Sequence, residues 1–138
     1  MNIDDCFSRG LLKRARPSKD KAKRSLEIAE SYLKKALDNL KMGHVDVAVT
    51  LCYRAMFHAA RAVLFNDGVK ERSHVCMIVY LKHTYPELRK SMNTLDSYRR
   101  TRHAVVYGLD AVLGADDAEI ALELSKDFVS EMKSFLGI

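Results

Sequence analysis

A run of small and apolar residues at positions 47–64 constrains the fold more than any other part of the chain. Polar side chains interrupt this run at Thr50, Arg54, His58 and Arg61, with spacings of four, four and three. Those spacings place the four side chains on one stripe of an α-helix and leave its other faces for burial. We therefore expect a central helix whose polar stripe faces either a cleft or a partner.

Helix signals also dominate the rest of the chain. Only two prolines and six glycines occur in 138 residues, 48% of the residues are apolar, and no strand-like alternation persists. Five helices are predicted, at residues 18–42, at 45–66, from 73 onward, from 87 or 91 to 107, and at 116–135. Short connections favour an all-α, antiparallel bundle, which we expect to form one domain at 18–138 after a basic, flexible leader at 1–17.

Particular residues set the predicted helix ends. Ser18 and Ser73 are expected to be N-caps, and Gly68 is expected to end the central helix. Asp116 and Glu119 have the spacing of a capping box at the start of the last helix. The inward face of that last helix is expected to hold Ile120, Leu124, Phe128, Met132 and Phe135.

The cysteines bear on the compartment in which the protein works. Cys6, Cys52 and Cys76 lie far apart and form no CxxC pair. Cys52 and Cys76 have apolar neighbours in the sequence, so we expect both to be buried free thiols. No uncharged run reaches the length of a membrane span, and residues 1–16 lack the apolar stretch of a secretory signal. These features predict a cytoplasmic protein that does not enter a membrane.

Histidines outside the central run give no sign of a metal site. His44, His74 and His83 are scattered and have no metal-ligand spacing with carboxylates. Nothing in the chain resembles a Gly-rich loop that cradles phosphates. We therefore expect neither a metal nor another cofactor.

The charge of the chain permits a partner that carries phosphates. The net charge is +5, and much of the excess lies between Lys13 and Arg24, with a second group at Arg99, Arg100 and Arg102. Basic clusters attract nucleic acids, but a solvated basic face has the same composition. The charge alone therefore leaves both interpretations open.

The central run also resembles the HEPN domain family. The matching residues are Tyr53 and 55–61 (AMFHAAR), followed by Gly68 in the turn and by Ser73 and His74 at the start of the next helix. The similarity is greatest to small stand-alone prokaryotic HEPN proteins, and it extends over most of the chain.

This resemblance implies an all-α domain that acts on RNA or on a nucleotide. It also implies a homodimer whose arginine-bearing helices meet across a two-fold axis. Many such proteins are paired with a minimal nucleotidyltransferase in a toxin–antitoxin arrangement, so a partner of that kind is expected.

The resemblance further implies a site near the end of the fourth predicted helix. HEPN ribonucleases carry an arginine, a polar residue and, some residues later, a histidine. In this alignment Arg102 takes the arginine position, His103 takes the polar position, and Tyr107 stands where the histidine would be. An ordinary tyrosine is a poorer base than histidine near pH 7. The implied roles are charge stabilisation on a phosphate by Arg102 and proton handling by His103 or Tyr107.

Arg54, His58 and Arg61 on the central stripe, together with Arg99, are candidate binding residues for the same cleft. The alternative is structural, with the two stripe arginines paired to acids such as Asp96 or Glu87. Two functions remain open: a metal-independent ribonuclease that uses the RNA 2′-hydroxyl as nucleophile, and a non-catalytic module. Such a module would bind a ligand, form a dimer or dock a partner protein.

Overall fold

Helix follows helix along most of the chain in the computed structural model, which describes residues 1–108 and 112–138. The elements in chain order are α1 (Ile3–Ser8), β1 (Leu12–Arg14), α2 (Lys19–Lys41), α3 (Val45–Asp67), β2 (Val69–Glu71), α4 (His74–Thr84), a 3₁₀ turn (Pro86–Leu88), α5 (Arg89–Tyr107) and α6 (Ala115–Leu136). The two short strands pair antiparallel, with Leu12 opposite Glu71. The predicted all-α bundle is confirmed, and the small ribbon is an addition to it.

Helix α3 is the centre of the bundle, as its apolar sequence predicted. Its buried side chains are mostly alanine and valine, and they let α2 and α6 pack closely on it. Among the described residues, α3 is the one helix whose length and composition would suit a membrane span, and 61% of its most apolar stretch is buried in the bundle. It ends at Gly68, which adopts a left-handed backbone with φ of 76°. A Cβ at Gly68 would lie 2.6 Å from the Ala15 carbonyl oxygen, so the turn requires glycine.

Residues 1–17 include α1 and β1, and the expected flexibility of this segment stays a prediction. Cys6 in α1 and Leu12 in β1 are buried, and the ribbon joins this segment to the end of α3. Because the apolar residues of this segment are few and separated by basic ones, the sequence pattern did not reveal their burial. The predicted boundary between a leader and a domain at residue 18 stays a prediction.

Cys6 and Cys76 form a disulfide, so the expectation of a free thiol at Cys76 is wrong. The two cysteines are 70 residues apart in sequence, and only the docking of α1 on α4 brings their Cα atoms to 5.7 Å. Cys52 is free and buried, as predicted. Disulfides persist mainly in oxidising compartments. The reducing, cytoplasmic compartment that the cysteine pattern indicated stays a prediction, and a lasting disulfide would count against it.

The predicted helix ends are accurate except at α6. The hydroxyls of Ser18 and Ser73 accept hydrogen bonds from backbone N–H groups in the first turns of α2 and α4. At α6 the cap is formed by Gly114, whose N–H donates to Asp117 at 2.8 Å, and not by the predicted Asp116 and Glu119.

The inward face of α6 is also rotated relative to the prediction. Phe128 and Met132 are buried as expected, whereas Ile120 is 56% exposed and Leu124 and Phe135 are partly exposed. Small residues such as Ala118 and Ala121 occupy the contact with the bundle, and a count of large apolar residues overlooks them.

Candidate functional site

Arginine and aromatic side chains from four helices lie together on one side of the bundle. They come from α2, from the polar stripe of α3, from the first residue of α4 and from the second half of α5. We name this set the arginine–aromatic cluster. Its members are Tyr32, Tyr53, Arg54, Phe57, His58, Arg61, His74, Arg99 and Arg102.

The aromatic rings of the cluster form a continuous row. Tyr32 stacks on His58 with ring centroids 5.4 Å apart. Phe57 stacks on His74 with ring centroids 4.2 Å apart. Phe57 and His58 contact edge to face at 5.3 Å, which closes the gap between the two pairs. The Arg54 guanidinium lies 5.2 Å above the Tyr32 ring. The row thus joins α2, α3 and α4 on one surface.

Helix packing fixes this row in place. The Ser25 hydroxyl of α2 donates a 2.7 Å hydrogen bond to the His58 carbonyl oxygen of α3, which sets the two helices in register. Ser73 caps α4 and so places His74 at its first turn. The Tyr53 hydroxyl and His74 Nδ1 are 2.5 Å apart, which ties α4 to α3.

The electrostatic environment of the cluster is strongly positive. Burial lowers the pKa of His74, and the charges of four arginines lower it further: Arg102, Arg99, Arg54 and Arg61. Burial, followed by the charges of Arg61 and Arg54, lowers the pKa of His58 to about 4. Both imidazoles are therefore neutral at pH 7, and the positive charge of the cluster is carried by guanidinium groups.

Only part of this positive charge is neutralised by the protein itself. Arg61 Nε lies 3.0 Å from Glu71, although its N–H does not point at the carboxylate, and Arg99 Nε donates to Asp96 at 3.0 Å. Within residues 1–108 and 112–138, no carboxylate lies within ion-pair distance of Arg54 or Arg102. The structural alternative holds in part, since Arg61 pairs with an acid, Glu71. In the described residues neither stripe arginine pairs with Asp96 or Glu87, and Asp96 pairs within its own helix.

The structure brings together five of the predicted site residues and separates two. Arg54, His58, Arg61, Arg99 and Arg102 all belong to the cluster. The other two, His103 and Tyr107, lie on an exposed part of α5, with their rings 4.9 Å apart. Tyr107 is 67% exposed at the end of the helix, whereas the Arg102 side chain is half-buried. The two positions therefore face different directions, as their spacing of five residues requires.

Sequence reasoning missed His74, Tyr53 and Tyr32 as parts of the site. His74 has no metal-ligand spacing with carboxylates, and Tyr53 lies off the polar stripe of the central helix. Two signals were available: Tyr53 and His74 are both among the residues that carry the family resemblance, and His74 directly follows the predicted cap Ser73. The His74 ring itself is positioned by Phe57 and Tyr53, which are distant from it in sequence.

The chemistry of the cluster suits an anionic ligand with a planar group. Guanidinium groups form paired hydrogen bonds to phosphate oxygens, and aromatic rings stack on bases. In the part of the chain that the structure describes, no three His, Cys, Asp or Glu side chains are grouped as a metal ion would require.

Comparison with known proteins agrees with the resemblance seen in the sequence. The sequence model of the HEPN domain matches residues 22–135, which is most of the chain and includes every member of the cluster. No curated protein matches this chain at a significant level.

Proposed function

The chain belongs to the HEPN domain family, and on this premise we propose that its arginine–aromatic cluster binds single-stranded RNA or a nucleotide. Membership in the family implies a function related to RNA or nucleotides. The observation that carries the proposal is the row of aromatic rings that joins α2, α3 and α4, with the Arg54 guanidinium 5.2 Å above the Tyr32 ring and four arginine charges acting on His74. Two of those arginines, Arg54 and Arg102, have no carboxylate partner in the described residues.

Arginines beside a row of aromatic rings supply both kinds of contact that single-stranded RNA uses. The guanidinium groups of Arg54 and Arg102 are available for phosphate oxygens. Bases that are not paired in a duplex stack on aromatic rings, and Tyr32, Phe57 and His58 are each only partly buried. A duplex does not expose base faces, so it would lose the stacking contribution.

A finer proposal is metal-independent cleavage of the bound RNA. The RNA 2′-hydroxyl attacks the adjacent phosphorus, a 2′-O–P bond forms, and the bond to the 5′-oxygen breaks. Arg102 stabilises the negative charge that grows on the phosphate oxygens. His103 or Tyr107 is proposed to handle the protons, which requires that α5 lie along a two-fold cleft so that this side chain and Arg102 reach the same phosphate. DNA, which lacks the 2′-hydroxyl, stays intact. Pairing with a minimal nucleotidyltransferase in a toxin–antitoxin system belongs to the same proposal.

An alternative function, as a dimerisation or docking module, is favoured by a different surface. Ile120 and Leu124 of α6 are exposed and line a groove of about 500 Å³ against α5, together with Tyr98 and Leu113. Exposed apolar side chains grouped in this way are typical of contact surfaces between proteins. We propose that a second copy of the chain covers this face.

The binding proposal is tested with a fluorescently labelled single-stranded RNA in the presence of EDTA. Arg54→Ala and Arg102→Ala are each expected to weaken binding about tenfold, because each variant loses a hydrogen bond to a charged phosphate. Arg89→Ala is the matched control, because Arg89 is an exposed arginine at the opposite end of α5. Equal losses in all three variants, or none, would contradict a role for the cluster. RNA cut in EDTA by wild type but not by Arg102→Ala would support the enzyme.

A further inference from the structure

The half-buried His74 and the buried Tyr53 form a hydrogen-bonded pair, and neither residue is among the predicted site residues. His74 is the first residue of α4, and Ser73 holds the turn by accepting a 3.1 Å hydrogen bond from the Cys76 N–H. The His74 ring is held on its face by Phe57 and at Nδ1 by the Tyr53 hydroxyl. Tyr53 is only 1% exposed, so this hydroxyl has no access to bulk solvent.

From this geometry we infer that Tyr53 fixes His74 as the tautomer with its proton on Nε2, and that this N–H donates a hydrogen bond to a phosphate oxygen of the bound RNA or nucleotide. The inference rests on the binding function proposed above. It adds a neutral donor to the cluster, and it assigns Tyr53 as the positioning residue that orients this donor.

The direction of the hydrogen bond follows from the acidities of the two groups. Burial raises the pKa of Tyr53 to about 12, so the phenol keeps its proton at pH 7. The His74 imidazole is neutral because burial and the arginine charges lower its pKa. A phenol is a stronger acid than a neutral imidazole N–H, so Tyr53 donates and Nδ1 accepts. A neutral imidazole carries one proton, which is therefore on Nε2.

The remaining nitrogen is open to a ligand. Among the described residues, Nε2 of His74 forms no side-chain hydrogen bond. The buried polar atoms that lack a partner do not include it, so this nitrogen reaches the surface. The charges of Arg102 and Arg99 act on the same ring, so the group that binds there is an anion. Because Nε2 already holds a proton, His74 serves as a donor to this anion and not as the general base.

The tautomer is tested directly by nitrogen-15 NMR of the full chain labelled at histidine. The chain has five histidines, and the His74 signals are those missing from His74→Gln. At pH 7 the His74 Nδ1 should show the shift of a bare ring nitrogen and Nε2 the shift of a protonated one. Tyr53→Phe should give a mixture of the two tautomers. A proton on Nδ1 in the wild-type chain would overturn the inference.

The role in binding is tested with a labelled single-stranded oligouridine. His74→Leu is expected to weaken binding about tenfold, and His74→Gln, which keeps an N–H donor, to stay within about threefold of wild type. His83→Leu is the control, since His83 is exposed at the other end of α4. Full affinity in His74→Leu with weak affinity in Arg102→Ala would overturn this inference and leave the proposed function standing. An absence of binding by wild type would overturn both.

Discussion

His58 shows how a single residue makes the stability of this fold depend on pH. Its pKa is lowered from 6.5 to about 4, mainly by burial, while in the unfolded chain it keeps its ordinary value. The unfolded state therefore binds more protons between those two pKa values, and the contribution of His58 to stability falls as the pH drops from 6.5 to 4. Above pH 6.5 both states are neutral and the contribution is constant.

We predict that His58→Gln flattens this part of the stability profile, because glutamine does not titrate. The free energy of unfolding, measured with urea at several pH values between 4 and 8, should depend less on pH in the variant than in wild type. His83→Gln, at an exposed site, is the control and should keep the wild-type slope. Identical slopes in wild type and His58→Gln would show that His58 is not held neutral.

Tyr107 is the residue at which the chain departs from the ribonuclease pattern. We predict that Tyr107→His raises metal-independent cleavage of RNA, because imidazole accepts a proton near pH 7 and a phenol does not. The measurement is RNA cleavage in EDTA, with Tyr107→His combined with Arg102→Ala as the inactive control. Robust wild-type cleavage that survives both Tyr107→Phe and Arg102→Ala would place the reacting site elsewhere.

The sequence predicted the polar stripe of α3 in the candidate site and missed the pair formed by Tyr53 and His74. Arg54, His58 and Arg61 follow from helical spacing, which is a local property. The pairing of Tyr53 with His74 depends on the angle at which α4 returns across α3. Gly68 and β2 lie between the two helices, and the angle between the helices leaves no periodic signal in the sequence.

Among the elements, α1 and α4 are joined by the Cys6–Cys76 disulfide. The bond closes a loop with a sequence separation of 70 residues, for which the loss of chain entropy in the unfolded state corresponds to about 4 kcal/mol. We predict that Cys6→Ser lowers the free energy of unfolding by an amount of this order. Urea unfolding without reductant measures it.

Reductant supplies the internal control for this prediction. Wild type treated with dithiothreitol should match Cys6→Ser, and Cys6→Ser itself should not respond to dithiothreitol. Cys52→Ala should keep the response to reductant, because Cys52 lies outside the bond. Equal stability of oxidised and reduced wild type would contradict the linkage of α1 to α4.

Helices themselves were more predictable than the faces that they bury. The ends of α2, α3 and α4 followed from Ser18, Gly68 and Ser73, because capping is a local interaction. The orientation of α6 did not follow, because Ala118 and Ala121 face the bundle while the larger Ile120 faces outward. Contact with neighbouring helices decides this orientation, and residue size alone does not reveal it.

For the whole molecule, the exposed face of α6 predicts a homodimer. Ile120 and Leu124 leave apolar area in water that a second copy would bury. Sedimentation at micromolar concentration should give a dimer for wild type and a monomer for Ile120→Glu. Glu119→Gln is the control, at an exposed polar position beside Ile120. A wild-type monomer would contradict this prediction.

The charge of the whole chain also determines how it should bind RNA. A net charge of +5 attracts any nucleic acid at low salt, so affinity at one salt concentration does not identify a site. The salt dependence is more informative, since each cation that contacts a phosphate contributes to its slope. Loss of a cation outside the site leaves that slope almost unchanged.

The affinity for single-stranded RNA as a function of salt is therefore the most direct test of the proposed site. Wild type should bind with an affinity that falls steeply as salt rises, and Arg102→Ala should lower the slope by about one. Arg89→Ala should leave the slope unchanged. A slope that is the same in wild type and Arg102→Ala, or no binding by wild type at low salt, would contradict the assignment of the arginine–aromatic cluster as an RNA site.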